Sequence, residues 1–247
     1  MPPFVRALAS LKLTTALLIL LAVVLSWGTI LESLQGTEAA RAVYYAPWFV
    51  ALQVVFALNV LAALWERWPR NRYRIGFVIT HASLLVILAG ALLTYTRSVN
   101  GYLALWEGEH SSQVDLDTAG GKPEAHATLP FSVRLDDFQM DFYPGTRMPS
   151  AYRSRITVTG VDGREQPALV EMNRPYSRDG WQLFQSSYRQ QGGREMTVLS
   201  VARDPGQNVA FWGYYLLVFG MLVVLVTRIA QFRETARARD AQGASGL

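Results

Sequence analysis

One histidine of this chain lies inside an apolar stretch, where an ionisable side chain needs an explanation. His81 falls within residues 73–95, YRIGFVITHASLLVILAGALLTY, which are about as long as a helix that crosses a bilayer. Ionisable side chains are costly in the hydrocarbon core, so a histidine there marks a functional site by default. It follows Ile75 by six residues, which places it about 9 Å along the helix axis.

Four roles suit a single imidazole in such a span. A neutral imidazole nitrogen donates a lone pair without adding charge, so His81 can serve as an axial ligand to haem iron. It can also lie in a proton path, hydrogen-bond a neighbouring helix, or pack as a neutral side chain in the helix bundle. The residues alone leave a ligand or relay and structural packing equally open.

Rival chemistry is scarce in the rest of the sequence. Cysteine is absent, which excludes disulfides, thiol catalysis, thiolate ligands and thiol–disulfide exchange by this chain. We interpret His110 and His126 as solvated loop residues because their surroundings are polar. Asp136 and Asp137 are adjacent, so a strand would point them to opposite faces and they make a poor carboxylate pair. The only metal that we expect is haem iron, held through His81.

Two more residues are candidates to line a pocket beside His81. Asn59 is the only strongly polar residue in the second half of its apolar run. It can form an interhelical hydrogen bond or border a pocket, but we favour ordinary helix–helix packing at this position. Gly76 precedes His81 by five residues, and Gly90 follows it by nine. Small residues at these positions allow close helix approach or leave room for a flat ligand.

The composition indicates a membrane protein. The chain is 51% hydrophobic and 17% charged, whereas soluble domains carry roughly 25% charged residues. The apolar residues fall into four runs, which predict transmembrane helices at about 13–30, 47–65, 75–95 and 209–228. The first run is long for a signal peptide and no small-residue cleavage site follows it at once, so we expect a retained span.

The arginines and lysines predict the orientation of these spans. Arg6 and Lys12 precede the first run, the connection 66–74 carries four arginines, and more arginines follow the last run. By the positive-inside rule, both termini and the tail 229–247 lie in the cytoplasm, and the protein spans the inner membrane. His81 then lies in the cytoplasmic half of the bilayer. The net charge of +4 sits mostly at membrane edges, so we expect no nucleic-acid partner.

Residues 96–208 are polar and show β-type patterning. Phe131, Val133 and Leu135 alternate with polar residues, as in a half-buried strand. Residues 161–163 predict a hairpin turn, and residues 120–123 a loop. Two more strands are predicted at 180–189 and 195–202. The predicted fold class is therefore membrane α+β, with four transmembrane helices and an extracytoplasmic antiparallel β-rich domain between the third and fourth helices.

Several blocks along residues 8–228 resemble the ResB (CcsB) family, a membrane subunit of System II cytochrome c biogenesis. They are LASLKLTTALLILLAVVLSWGTILES, YYAPWFVALQVVFALNVLAALWERWP, YRIGFVITHASLLVILAGAL, LPFSVRLDDFQMDFYPGTRMPSAYRSRITV, MNRPYSRDGWQLFQSSY and DPGQ. The resemblance implies a ResC/CcsA-type partner, with which haem b is moved to the outer face and attached to CxxCH of apocytochrome c. It also implies that His81 matches the family's haem-ligating histidine in the third span.

The resemblance also limits what one chain does. The tryptophan-rich motif and the external histidine pair of the family's partner subunit are absent, and the seven tryptophans are scattered. We therefore expect a chain that is not catalytic alone but is a haem-handling subunit of a cytochrome c synthase (haem lyase) complex. The alternative is a structural scaffold that docks partners through its outer β domain without binding haem. A small transporter is disfavoured, since no internal repeat is visible.

Overall fold

The computed structural model describes residues 3–68, 72–117 and 125–244, and it divides into two compact units. One unit holds the helices and comprises Met1–Thr96 and Gly206–Leu247. The other, Arg97–Pro205, holds the strands. The predicted loop at 120–123 and Arg70 of the basic connection lie outside the described residues.

Six α-helices and one 3₁₀ turn are present in the described residues. They are α1 (Pro3–Leu8), α2 (Leu11–Gln35), α3 (Thr37–Tyr44), α4 (Pro47–Glu66), the 3₁₀ turn (Arg72–Arg74), α5 (Ile75–Arg97) and α6 (Pro205–Ala244). Four of them, α2, α4, α5 and α6, are long and apolar enough to cross a membrane. Together with the antiparallel sheet described below, they confirm a membrane α+β protein. Its orientation across the bilayer remains a prediction.

Two helical segments differ from the expected bounds. The connection after the first span contains α3. This helix begins just after Gly36, whose backbone has a positive φ of 87°. The last helix continues beyond residue 228 as far as Ala244, so the described part of the tail is helical. The reason is local, because the stretch from Arg228 to Arg237 contains neither glycine nor proline and consists largely of good helix formers.

Glycines let α5 and α6 approach closely along their length. The facing pairs follow one antiparallel register: Gly76 with Val224, Thr80 with Gly220, Ile87 with Gly213, Gly90 with Ala210 and Thr94 with Gly206. The three glycines of α6 in these pairs recur every seven residues, which keeps them on one face of the helix. A Cβ added at Gly90 would lie 2.7 Å from the backbone nitrogen of Ala210. This contact therefore positions α5, which carries His81.

The strands form one antiparallel sheet. They are β1 (Val99–Trp106), β2 (His110–Leu116), β3 (His126–Phe142), β4 (Pro149–Gly160), β5 (Glu165–Glu171), β6 (Tyr176–Arg178), β7 (Trp181–Gln191) and β8 (Arg194–Arg203). Their order in this eight-stranded sheet is β5-β4-β3-β2-β1-β8-β7-β6. The Ser154 hydroxyl on β4 donates to Oε1 of Gln185 on β7 at 2.6 Å, and it lies 2.9 Å from the Thr197 hydroxyl on β8. The sheet therefore curls until distant strands meet around its core.

The predicted alternation on β3 is confirmed as far as Leu135, and beyond it the buried positions shift by one residue. Phe131, Val133 and Leu135 are buried, but the next buried side chain is Phe138. The pairing of β3 with β4 shifts between Leu135 and Asp137, which makes Asp136 the extra residue of a β-bulge. The predicted turn at 161–163 is confirmed as well, because it joins β4 to β5 and Gly163 has a φ of 73°.

The prediction that His110 and His126 lie in loops is wrong. They begin β2 and β3, because the pairing of these strands extends to their ends, although both side chains are exposed. His126 pairs across the strands with Asp115, Nδ1 to Oδ1 at 2.8 Å. Neither histidine lies in a site of clustered ligands, since no three His, Asp or Glu side chains of the described residues could hold a metal ion together.

The adjacent carboxylates at the bulge have separate partners. Asp136 accepts hydrogen bonds from the Thr157 hydroxyl at 2.6 Å and from Arg134 Nε at 2.8 Å. Burial raises the pKa of Asp136, but these two hydrogen bonds and the charge of Arg134 outweigh it and lower the pKa below its ordinary value. Asp137 instead accepts from Arg155 at 3.1 Å. The two carboxylates do not form a catalytic pair.

Candidate functional site

A cavity of about 350 Å³ lies between α2, α4 and α5. Its walls are mostly apolar, and the side chains that form them recur at helical spacing on each element. The apolar members are Ala9, Leu11, Leu18, Phe56, Val60, Ala63, Phe77 and Leu84, and the polar members are Thr14, Asn59, Arg67 and His81. Two of the three predicted site residues, His81 and Asn59, are thus brought to one cavity.

His81 is held by the turn of helix that precedes it. Its Nδ1 lies 2.9 Å from the carbonyl oxygen of Phe77 and 3.3 Å from the hydroxyl of Thr80. A carbonyl oxygen can only accept, so we assign the imidazole hydrogen to Nδ1. Nε2 then keeps its lone pair, which is the tautomer that a histidine needs in order to ligate a metal through Nε2. The ring also packs on Phe77, with centroids 3.8 Å apart.

Asn59 joins helices and borders the cavity at the same time. It is 1% exposed. Its Oδ1 accepts from the Thr14 hydroxyl at 2.9 Å, and its Nδ2 donates to the carbonyl oxygen of Leu8 at 2.6 Å. These bonds tie α4 to α2 and to the end of α1. The interhelical hydrogen bond is present, although the sequence favoured ordinary helix–helix packing, and it fixes one wall of the cavity.

Gly76 is placed away from the cavity. A Cβ at this position would meet Val224 of α6, at 2.6 Å from its Cγ2 and 2.7 Å from its backbone nitrogen. Of the two roles considered for this glycine, the structure therefore supports close helix approach. It gives no support to the alternative of room for a flat ligand.

Arg67 is a residue of the cavity that the sequence reasoning assigned only to membrane topology. It follows the last residue of α4, and its backbone N–H bonds the carbonyl of Ala63. Its guanidinium lies 5.7 Å from the centroid of the Phe77 ring, within the range of a cation–π contact. The signal in the sequence was its spacing of four from Ala63, which puts both residues on one helix face.

Comparison with known proteins indicates the family to which the chain belongs. The ResB-like family model matches residues 70–198. The protein NrfI of Wolinella succinogenes is 27% identical over 92% of this chain and 36% of its own length. The cytochrome c biogenesis protein CcsB of Synechococcus elongatus is 26% identical over 47% of this chain and 25% of its own length. The chain thus spans about a third of the length of NrfI and a quarter of the length of CcsB.

Among solved structures, the cytochrome c haem lyase CcmF superimposes with a TM-score of 0.41 and 15% identity, covering 84% of this chain and 34% of CcmF. The family match is the stronger finding, because it takes in more than half of the chain. It includes α5 with His81 and the strands from β1 to β7. The chain belongs to the ResB-like family.

Proposed function

We propose that this chain is a haem-handling membrane subunit of cytochrome c maturation and that His81 is an axial ligand to haem b. The observation that carries the proposal is His81 itself. Its Nδ1 is engaged by the Phe77 carbonyl, so Nε2 has a lone pair to donate, and the residue lines a mostly apolar cavity. The apolar walls suit the face of a macrocycle. The cytochrome c biogenesis relatives support the assignment of that ligand as haem.

The size of the cavity supports a site shared with another subunit. Small-molecule sites span about 300–1,000 Å³, so a cavity of about 350 Å³ is at the lower end of the range. His81 is also the only histidine among the described residues that line it. We infer that a ResC/CcsA-type partner covers the rest of the haem and supplies the second axial ligand. Attachment to apocytochrome c would then be the work of the complex rather than of this chain alone.

The charge pattern supports an orientation for this site. Arg6 and Lys12 of the N-terminal segment and Arg67 and Arg74 between α4 and α5 are predicted to face the cytoplasm. With both termini inside, the strand unit lies on the extracytoplasmic side of the inner membrane. His81 is close to the start of α5, so the cavity lies toward the cytoplasmic face, where haem would enter.

The test is the haem content of the full chain, purified in nanodiscs together with its partner. His81→Ala should abolish haem retention or shift the absorption spectrum, and added imidazole should restore binding because it replaces the missing nitrogen. His110→Ala is the matched control, since it removes an exposed histidine from β2. Unchanged haem content and spectrum in His81→Ala would refute the ligand role. A loss of complex yield with no haem defect would favour the scaffold alternative.

A further inference from the structure

Arg67 is the one charged side chain among the described residues that line the cavity. Its guanidinium makes no ion pair with any described carboxylate, and its side-chain contact is the face of Phe77. The same Phe77 ring packs against the imidazole of His81 at 3.8 Å. A single aromatic ring thus lies against both the candidate iron ligand and a cation whose hydrogen-bond donors remain available.

We propose that Arg67 binds a propionate carboxylate of haem and thereby sets how the macrocycle is turned in the cavity. This inference rests on the proposed function. The guanidinium fork matches a carboxylate with two parallel hydrogen bonds, which gives orientation as well as affinity. Haem offers this chemistry, because its two propionates project from one edge of a ring whose iron accepts an axial nitrogen.

The distribution of polarity in the cavity determines which edge of haem faces Arg67. Unpaired carboxylates are very costly to bury in apolar surroundings. Arg67 is exposed and lies just beyond the end of α4, whereas Phe56 and Leu84 form apolar walls. The propionate edge would therefore face the end of the cavity where Arg67 lies, and the vinyl edge would lie against the apolar side chains.

The contribution of Arg67 to haem binding can be distinguished from that of other arginines in the same basic connection. Arg74 is exposed and lies in the same short segment between α4 and α5, but it does not line the cavity. Arg74→Gln therefore removes an equal charge without removing a proposed contact. Arg67→Lys keeps the charge and loses the fork, and it also reports whether position 67 tolerates substitution.

The experiment is a titration of the full chain, in nanodiscs together with its partner, with haem and with haem dimethyl ester, in which both carboxylates are esterified and the iron is unchanged. Arg67→Gln should weaken haem binding about tenfold to a hundredfold, which is the range for a hydrogen bond to a charged group. It should leave binding of the ester unchanged, and the wild type should prefer haem to the ester. Arg74→Gln should behave as the wild type, and Arg67→Lys should be intermediate.

The outcomes separate the two proposals. Equal weakening of haem and ester by Arg67→Gln, or no weakening of either, would overturn the role of Arg67. The haem spectrum of His81→Ala would still decide the ligand role in that case. If the absorption spectrum of haem bound to the wild type shows no histidine ligation that depends on His81, the proposed function fails, and the inference about Arg67 fails with it. Size-exclusion profiles and circular dichroism identify a variant that has misfolded.

Discussion

Replacing Gly90 by alanine should destabilise the helical unit, although alanine is the better helix former. Helix propensity alone favours alanine over glycine by about 1 kcal/mol. The new Cβ, however, would lie 2.7 Å from the backbone nitrogen of Ala210 and 3.0 Å from its Cα. Backbone atoms cannot turn aside as a side chain can. The clash can be relieved only if α5 and α6 separate along their shared face.

The magnitude follows from comparing these two effects. Overpacking a well-packed contact costs typically 1–3 kcal/mol. The separation also weakens the close contacts of the neighbouring pairs, such as Ile87 with Gly213. Subtracting the gain in propensity of about 1 kcal/mol from the overpacking cost leaves up to about 2 kcal/mol, and the weakened neighbouring contacts add to it. We therefore expect a net loss of about 1–2 kcal/mol in the free energy of unfolding.

Unfolding by SDS in mixed micelles, followed by circular dichroism, measures this loss. Gly28→Ala is the matched control, since it makes the same change in α2. The three atoms nearest to the new Cβ all belong to the side chain of Tyr44, and none of them is a backbone atom. The Tyr44 side chain can rotate, so this variant should lose less stability than Gly90→Ala. A Gly90→Ala protein as stable as the wild type, or more stable, would refute the argument from backbone contact.

Two further predictions concern polar contacts. Asn59→Leu should cost about 1–2 kcal/mol in the same SDS assay, because the Leu8 carbonyl loses its donor and the Thr14 hydroxyl loses an acceptor; a variant as stable as the wild type would contradict this. Asp136→Asn should destabilise the strand unit at pH 7. Because the native pKa of Asp136 is lowered, its stabilisation is present above the ordinary carboxyl pKa of about 3.9 and is lost as the pH falls through the lower native value. The difference in urea midpoint between wild type and variant should shrink from pH 7 to pH 3, and a difference that grows on acidification would refute the assignment.

The helices and strands were predictable because their causes are local. A bilayer needs about 20 apolar residues, and the four apolar helices begin or end within a few residues of the predicted bounds at most positions. The burial of Phe131, Val133 and Leu135 follows from a period of two. The bulge at Asp136 was not predictable, because it depends on how β3 pairs with a strand that the sequence does not place beside it.

The glycine face of α6 was visible in the sequence, but the helix that packs against it was not. Gly206, Gly213 and Gly220 have a visible spacing of seven residues, which predicts a narrow helix face. Their partner could not be chosen, because α2, α4 and α5 are all apolar enough to pack there. The structure selects α5. Gly76 thereby becomes a packing residue, although its distance from His81 along the chain had also allowed a place in the pocket.

The candidate site combines a local and a non-local part, and the two should respond differently to perturbation. The hydrogen bond from Nδ1 of His81 reaches the Phe77 carbonyl one turn earlier in the same helix. It holds the tautomer wherever α5 lies. The cavity, in contrast, depends on α2 and α4, and Asn59 fixes one wall through bonds to Thr14 and Leu8. A shift of α5 should therefore change the affinity for haem more than the spectrum of the iron–histidine bond, whereas loss of His81 should change both.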